Sequence, residues 1–462
     1  MIKTIELKHF KSWKDSGPVK LAPLTVFFGT NSSGKSSILQ LLLMLKQTAQ
    51  SPDRNRVLHT GDSNSLVDLG TYYDLIYNHD IENNLKFTLF WNYGKSFEII
   101  LPDKAEQLSG ETLGIHSEIS LTENLLTLEK SGYVLGSKNG LEFYFILERN
   151  EKSNSYEFRT EPKLKRTRGR PWPIKRANKF YGFPDEIETY YQNTEYLKDF
   201  ELELERLLGS IQYVGPLREK PKKIYQWAGQ EPEWVGIRGE KAIEALLAST
   251  HKNRRINLKP GGKYRSIEET VAFWLKEMGL IHGFRTRPIA EYRKEYDVLV
   301  RIQKNSPEVN LTDVGFGVSQ VLPVIVESLY ARENSVLLFE QPEIHLHPRV
   351  QSSLADMFID ALNAREKSNR SGGRKREIQL IVESHSEHFL NRLQRRIAEG
   401  RLSKDDTALY FCRSTREGSK IEPLELDQYG NIHNWPDNFF GDEMEDITAR
   451  AEIEYKNRMA KS

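Results

Sequence analysis

Residues Gly29-Thr30-Asn31-Ser32-Ser33-Gly34-Lys35-Ser36 fill every fixed position of the pattern G-x-x-x-x-G-K-[ST]. Each fixed position has a chemical reason. The two glycines let the backbone close around a triphosphate, with the N–H groups of Thr30, Asn31, Ser32 and Ser33 turned inward. A helix opening at Ser36 and Ser37 presents its positive end to the same phosphates. Lys35 is placed to neutralise the β- and γ-phosphates, and the Ser36 hydroxyl to hold Mg²⁺. Such a loop needs a carboxylate from a neighbouring strand. Val336-Leu337-Leu338-Phe339-Glu340 supplies four apolar strand residues ending in an acid, which makes Glu340 the second candidate Mg²⁺ ligand.

Three further segments carry polar chemistry next to apolar runs. In Asn310–Pro323 (NLTDVGFGVSQVLP), Gly317 precedes Ser319 and Gln320 at the head of an apolar helix. Its free N–H groups suit a phosphate or an ordinary cap. In Ile381–Ser386 (IVESHS), His385 follows a buried strand. His345 and His347 flank Leu346 after the acid-ending strand. Alternate positions on a short turn do not converge on a metal without further ligands, so a structured turn is expected there.

The surrounding elements must position these groups. Ile2–Phe10 alternates with the period of a strand, Leu24–Phe28 reads as a buried strand, and Ser37–Leu45 as an apolar helix. Residues 84–149 carry strand-like runs parted by Gly, Asn and Ser, an antiparallel region. Residues 150–180 turn polar and basic with several prolines and read as an exposed loop. Asp185–Leu208 reads as one helix with Asp185 as its cap, and helices follow at Gly239–Ser249 and Ile267–Met278. From Ser319 onward, helices alternate with Ser335–Phe339 and Ile378–Val382, the pattern of parallel βαβ units.

The chain has 462 residues, room for two or three domains of about 150 each. Hydrophobic residues make up 38% and charged residues 28%, with 66 Lys and Arg against 65 Asp and Glu. The resulting net charge of +1 gives no global attraction to nucleic acid or anionic lipid, so any such affinity must be local. The single cysteine, Cys412, excludes an internal disulfide and a thiolate metal cage. MIKTIELKHF lacks a signal-peptide core, and no stretch approaches the roughly 18 apolar residues of a membrane span. A cytoplasmic protein is expected.

Taken in order, the four segments resemble the ABC-type ATPase heads of the SMC, RecF and OLD group. IELKHFKSWKD…GTNSSGKSSIL looks like the Walker A region, VLLFEQPEIHLHP like Walker B, DVGFGVSQ like a divergent signature, and ESHSEHFL like the switch-histidine segment. The nearest likeness is to prokaryotic stand-alone, OLD-like AAA-family ATPases. These share the EQPEIHLHP form, a central GPLR…VGIRGE segment and a short C-terminal extension of unknown function, here Glu422–Phe440. The resemblance implies heads paired head to tail around two ATP molecules, as a dimer or a higher oligomer. Gly317 and Ser319, with Gln320, would then contact the γ-phosphate in trans, and His385 would sense it in cis. It also implies a catalytic acid after Glu340, where this chain has Gln341, which cannot accept a proton. Either Glu343 takes over as base or hydrolysis is slow; the alternative role for Glu343 is to cap the following turn. Gln47 and Gln50 are the candidates for the family's glutamine loop.

Lys163–Arg176 (KLKRTRGRPWPIKR) is basic without an acid. Its core, Arg168-Gly169-Arg170-Pro171, resembles an AT-hook that lays arginines in a minor groove, with Lys175 and Arg176 adding phosphate contacts. The alternative is a solvated charged loop. His251–Arg255, Lys259–Arg265 and Arg370–Arg376 are candidates to widen the patch.

The expected fold is α/β, a P-loop ABC-type ATPase head whose mixed core sheet is flanked by helices, with an antiparallel β subdomain and a helical insertion. The expected divisions are 1–103 (Walker A), 104–304 (insertion), 305–420 (signature, Walker B, switch histidine) and 421–462 (extension). The function that follows is an ATP- and Mg²⁺-dependent dimer that senses or clamps double-stranded DNA. It would control a separate effector such as a nuclease, in prokaryotic anti-phage defence, without a membrane partner. A nucleotide-locked scaffold with little turnover, and a RecF-like repair factor, are the alternatives. No heptads support a long coiled-coil arm.

Overall fold

Apolar runs of four or five residues that are buried on both faces make the centre of the molecule. In the computed structural model, which describes residues 1–101, 106–167, 169, 173–175, 177–259, 261–291, 293–367 and 373–436, they form a six-stranded sheet. Its order is Ile211–Val214, Val336–Glu340, Gln379–Glu383, Leu24–Gly29, Thr407–Thr415 and Gly418–Pro423. The first five strands are parallel and the last is antiparallel. The strand period sends alternate residues to opposite sides. Val336, Leu338 and Ile381 join one core, and Leu337, Phe339, Leu380 and Val382 the other. With both faces covered, these strands read as continuous apolar runs rather than alternating ones.

One core holds the helix Lys35–Gln50, the helix Tyr196–Gly209 and an eight-stranded antiparallel sheet. That sheet runs Trp13–Asp15, Ile2–Phe10, Leu85–Leu101, Glu106–Thr122, Leu125–Ser137, Gly140–Asn150 and Ser155–Glu161, with Val19–Lys20 also on Ile2–Phe10. The other core holds the helices Ala242–His251, Ile267–Glu277, Phe316–Tyr330, Pro348–Asn363 and Glu387–Ala398. Buried Gln379 ties the two sheets together: its side chain accepts from Ile2 N at 2.9 Å and donates to Ile2 O at 2.8 Å and Ala22 O at 3.1 Å.

Several expectations need correction. The division at 103/104 cuts the antiparallel sheet, because Leu85–Leu101 pairs with both Ile2–Phe10 and Glu106–Thr122. Ile211–Val214, inside the expected insertion, belongs to the core sheet. The stretch 150–180 is not simply an exposed loop. Ser155–Glu161 is a strand, and Phe180 and Tyr181 are buried. The helix expected over Asp185–Leu208 is two, Asp185–Tyr190 and Tyr196–Gly209, parted at Asn193 with φ 57°. Asp185 does not cap it but pairs with Arg54 at 2.9 Å.

Arg376 is not part of a basic surface. It is fully buried, and its guanidinium donates to the carbonyls of Ser328, Leu329, Ala331 and Ala361. Of the basic segment, Arg168, Arg170 and Arg176 lie outside the described residues, and Lys175 is exposed. Arg370 also lies outside them. No helix among the described residues is long and apolar enough to cross a membrane.

Glu327, in the last turn of Phe316–Tyr330, is fully buried and accepts from Val235 N at 2.9 Å. Burial raises its pKa to about 7. An acid harder to ionise in the folded chain than in the unfolded one loses stability as pH rises from about 4.5 to about 7. Glu327→Gln keeps the acceptor for Val235 and removes that loss. Its stability relative to wild type should therefore improve by about 1–3 kcal/mol between pH 4.5 and pH 8, read by thermal or urea unfolding. A difference that stays constant with pH would contradict this.

Candidate functional site

The carboxyl ends of four adjacent parallel strands open on one crevice, the usual ligand position in an α/β sheet. Leu24–Gly29 delivers the phosphate loop, Gln379–Glu383 delivers Glu383 and His385, Val336–Glu340 delivers Glu340 and Gln341, and Ile211–Val214 runs into Gly215–Arg218. Cα pairing sets Glu340 directly beside Glu383.

The loop's glycines are fixed by their surroundings as well as by any ligand. Gly29 has φ 140°, and a Cβ there would lie 2.0 Å from the Cys412 carbonyl oxygen. Gly34 has φ 87°, and a Cβ there would lie 2.6 Å from both the Ser12 and the Ser419 hydroxyl oxygen. Any other residue would displace the neighbouring strand or the hairpin beneath. Trp13 supports the loop from below, its indole N–H donating to Gly34 O at 3.0 Å. Ser32 takes φ 59° and, with Thr30 and Asn31, forms the exposed rim, whereas Ser33 and Ser37 are buried. The helix begins at Lys35 without a side-chain cap, so first-turn N–H groups remain available to an anion.

Lys35 is buried, and its ammonium donates to Gly29 O at 3.0 Å, Thr30 O at 2.7 Å and Ser33 Oγ at 3.3 Å. Burial lowers its pKa, and Glu383 is the largest of the charges that oppose the shift. The Ser36 hydroxyl and the Gln341 side chain both stand beside the Glu383 carboxylate and favour its ionised form. Glu383 is 2% exposed, and its Oε2 has no hydrogen-bond partner among the described residues. Burial, then Glu340, raises its pKa to about 7. Glu340 accepts from the Tyr213 hydroxyl at 2.5 Å.

Glu343 is buried too, but its Oε1 accepts from the Ser384 hydroxyl at 2.9 Å and from His385 N at 2.6 Å. It therefore fixes the Ser384–His385 backbone. Burial raises its pKa. Burial followed by Lys35 lowers the His385 pKa to about 4, against an opposing pull from the nearby Gly29 backbone, so the ring is neutral at physiological pH.

The signature-like helix starts at Phe316 with Gly315 at its cap position and no side-chain cap. Gly317 lies in its first turn, the Ser319 hydroxyl donates back to Phe316 O at 2.7 Å, and Gln320 is buried. Gln47 is not placed in a nucleotide-sensing loop. Its amide donates to His59 O and Val67 O, and Gln50 is exposed at the helix end. His347 caps the helix Pro348–Asn363, accepting from Arg349 N at 3.3 Å, and the His345 ring packs on Phe316. No cluster of three or more His, Cys, Asp or Glu suited to a metal occurs among the described residues.

Sequence reasoning missed Glu383 and Arg218 as site residues. For Glu383 a signal existed: an apolar strand ending in an acid, the same pattern that marked Glu340. For Arg218 the GPLR segment was a signal without a role, and only the strand order places it beside the site.

A family model described as AAA ATPase domain matches residues 1–233 and 239–390. A second, described as a protein of unknown function (DUF3696), matches residues 402–449, which takes in the strand Thr407–Thr415 as well as the expected extension. No curated protein matches the chain. Among solved structures, an SMC head bound to the C-winged helix domain of ScpA is 12% identical, with a TM-score of 0.42, and covers 92% of this chain and 98% of its own. The SMC head domain from Thermotoga maritima is 11% identical, with a TM-score of 0.39 and coverages of 92% and 99%.

Proposed function

Because the chain belongs to the AAA ATPase domain family, we propose that it binds ATP at the four-strand crevice and hydrolyses it. The observation that carries this reading is the convergence of Lys35, Ser36, Glu340, Glu383 and His385 at the open helix end. The donor set fits Mg²⁺. Ser36 and Glu340 offer hard oxygen ligands, and the buried Glu383 carboxylate, whose Oε2 has no partner among the described residues, adds negative charge that favours a cation without being a ligand itself. Ser36 and Glu340 would hold the ion, and bound Mg²⁺ would supply charge neutralisation at the phosphates.

Hydrolysis needs a carboxylate to take the proton of the attacking water. Gln341 cannot do so, and Glu343 is held through Oε1 by Ser384 and the His385 backbone, with only Oε2 left unpartnered. Glu383 is the carboxylate that stands beside Gln341, and we assign the proton to it. The lack of an acid at position 341 also supports the second reading, a slow, nucleotide-locked scaffold.

The uncapped signature-like helix beginning at Phe316 supports ATP-dependent pairing of two copies, each completing the other's site with Gly317 and Ser319. We read the pair as a sensor or clamp for double-stranded DNA that controls a separate effector in anti-phage defence. Support for that setting is the resemblance of motifs, together with exposed Lys175 in the basic segment. Light scattering should show the mass double with Mg²⁺-ATP and not with ADP, and AT-rich duplex should co-elute with the doubled form alone. A mass indifferent to nucleotide would end the pairing reading.

A further inference from the structure

Arg218 has no assigned role, and its environment is unusual for an arginine. Nε, Nη1 and Nη2 are all buried, and none has a hydrogen-bond partner among the described residues. A buried guanidinium with none of its donors used is costly, because the charge has left water without replacement. Arg376 shows the ordinary solution in the same molecule, a buried guanidinium spent on four backbone carbonyls.

The acids near Arg218 are Glu340 and Glu343. Glu340 accepts from Tyr213, and Glu343 Oε1 accepts from Ser384 and the His385 backbone, while Glu343 Oε2 has no hydrogen-bond partner among the described residues and so does not take a donor from Arg218 either. Glu343 also lies within electrostatic reach of Lys35, so the guanidinium and the loop lysine share one neighbour. The strand order explains how this comes about. Gly215–Arg218 leaves the carboxyl end of the strand next to Val336–Glu340, on the same edge of the sheet as the phosphate loop.

We infer that Arg218 grips the terminal phosphate of the bound nucleoside triphosphate, so that this loop separates a triphosphate from a diphosphate. The inference rests on the crevice being the nucleotide site. A planar fork of five donors can take two oxygens of one terminal phosphate at once, which a point charge such as lysine does not.

The test is equilibrium binding of ATPγS and of ADP, each with Mg²⁺, to the full chain carrying Arg218→Gln, with Lys35→Ala alongside. The expected result is ATPγS weakened at least about tenfold, with ADP changed by less than about twofold. The melting temperature should not fall, since an unpaired buried charge is removed. Arg218→Lys should give the same selective loss in smaller measure, and it decides the matter should Arg218→Gln not fold. Equal weakening of both nucleotides, or of neither, overturns the inference while Lys35→Ala still abolishes binding. If Lys35→Ala binds both normally, the nucleotide site itself is misplaced.

Discussion

Lys35→Ala is expected to weaken ATP binding by at least about a hundredfold while leaving the fold intact. In the structure the ammonium joins three groups of its own loop, Gly29 O, Thr30 O and Ser33 Oγ. It is buried deeply enough that its pKa falls. A phosphate arriving there would give a desolvated cation a full negative charge, and charge-assisted hydrogen bonds of this kind contribute about 1.5–3 kcal/mol each. Losing two of them corresponds to a factor of a hundred or more. Alanine leaves the loop backbone unstrained, because Gly29 and Gly34 carry the conformations that require glycine. Titration with ATPγS, and the loss of its thermal stabilisation, would measure the change. Unaltered affinity would mean that phosphates do not sit in this loop.

Glu383→Gln should separate binding from chemistry. A positioned general base contributes about 10²–10⁴-fold, so phosphate release should fall at least about a hundredfold. ATP affinity should hold or rise, because one buried negative charge leaves the vicinity of the phosphates. The neighbours tolerate the change, since an amide oxygen still faces Ser36 and Gln341. Glu343→Gln is the control. It alters a carboxylate that binds Ser384 and the His385 backbone, so it should affect stability more than turnover. Single-turnover phosphate release beside ATPγS affinity distinguishes the two. If Glu383→Gln turns over at the wild-type rate and Glu343→Gln does not, the roles are reversed and the proton goes to Glu343.

The core sheet and the phosphate loop were legible because local chemistry determines them. Leu24–Phe28 and Val336–Phe339 are buried on both faces and so are apolar throughout, and the loop's glycines, lysine and serine are each tied to a position. What the sequence hid was adjacency. Glu383 ends an apolar strand just as Glu340 does, yet only the strand order reveals that the two stand side by side. Arg218 closes the GPLR segment that marked the resemblance, yet nothing in that segment gave it a role until the fourth parallel strand placed it beside the phosphate loop's edge of the sheet. Charge runs misled in the opposite way. Arg376 closes a basic stretch and reads as solvated, but free carbonyls at the end of Phe316–Tyr330 and within Pro348–Asn363 draw it inside. Residues 150–180 read as loop because their prolines and charges mask a strand, and because buried Phe180 and Tyr181 lie within a polar stretch.

Steady-state phosphate release from Mg²⁺-ATP, by the full chain and by Lys35→Ala side by side, tests the central claim most directly. The account expects release by the wild type that Lys35→Ala reduces to background. Release that is equal in the two, or absent from the wild type while ATPγS still binds, would contradict it. The latter result would leave the nucleotide-locked scaffold as the function of this fold.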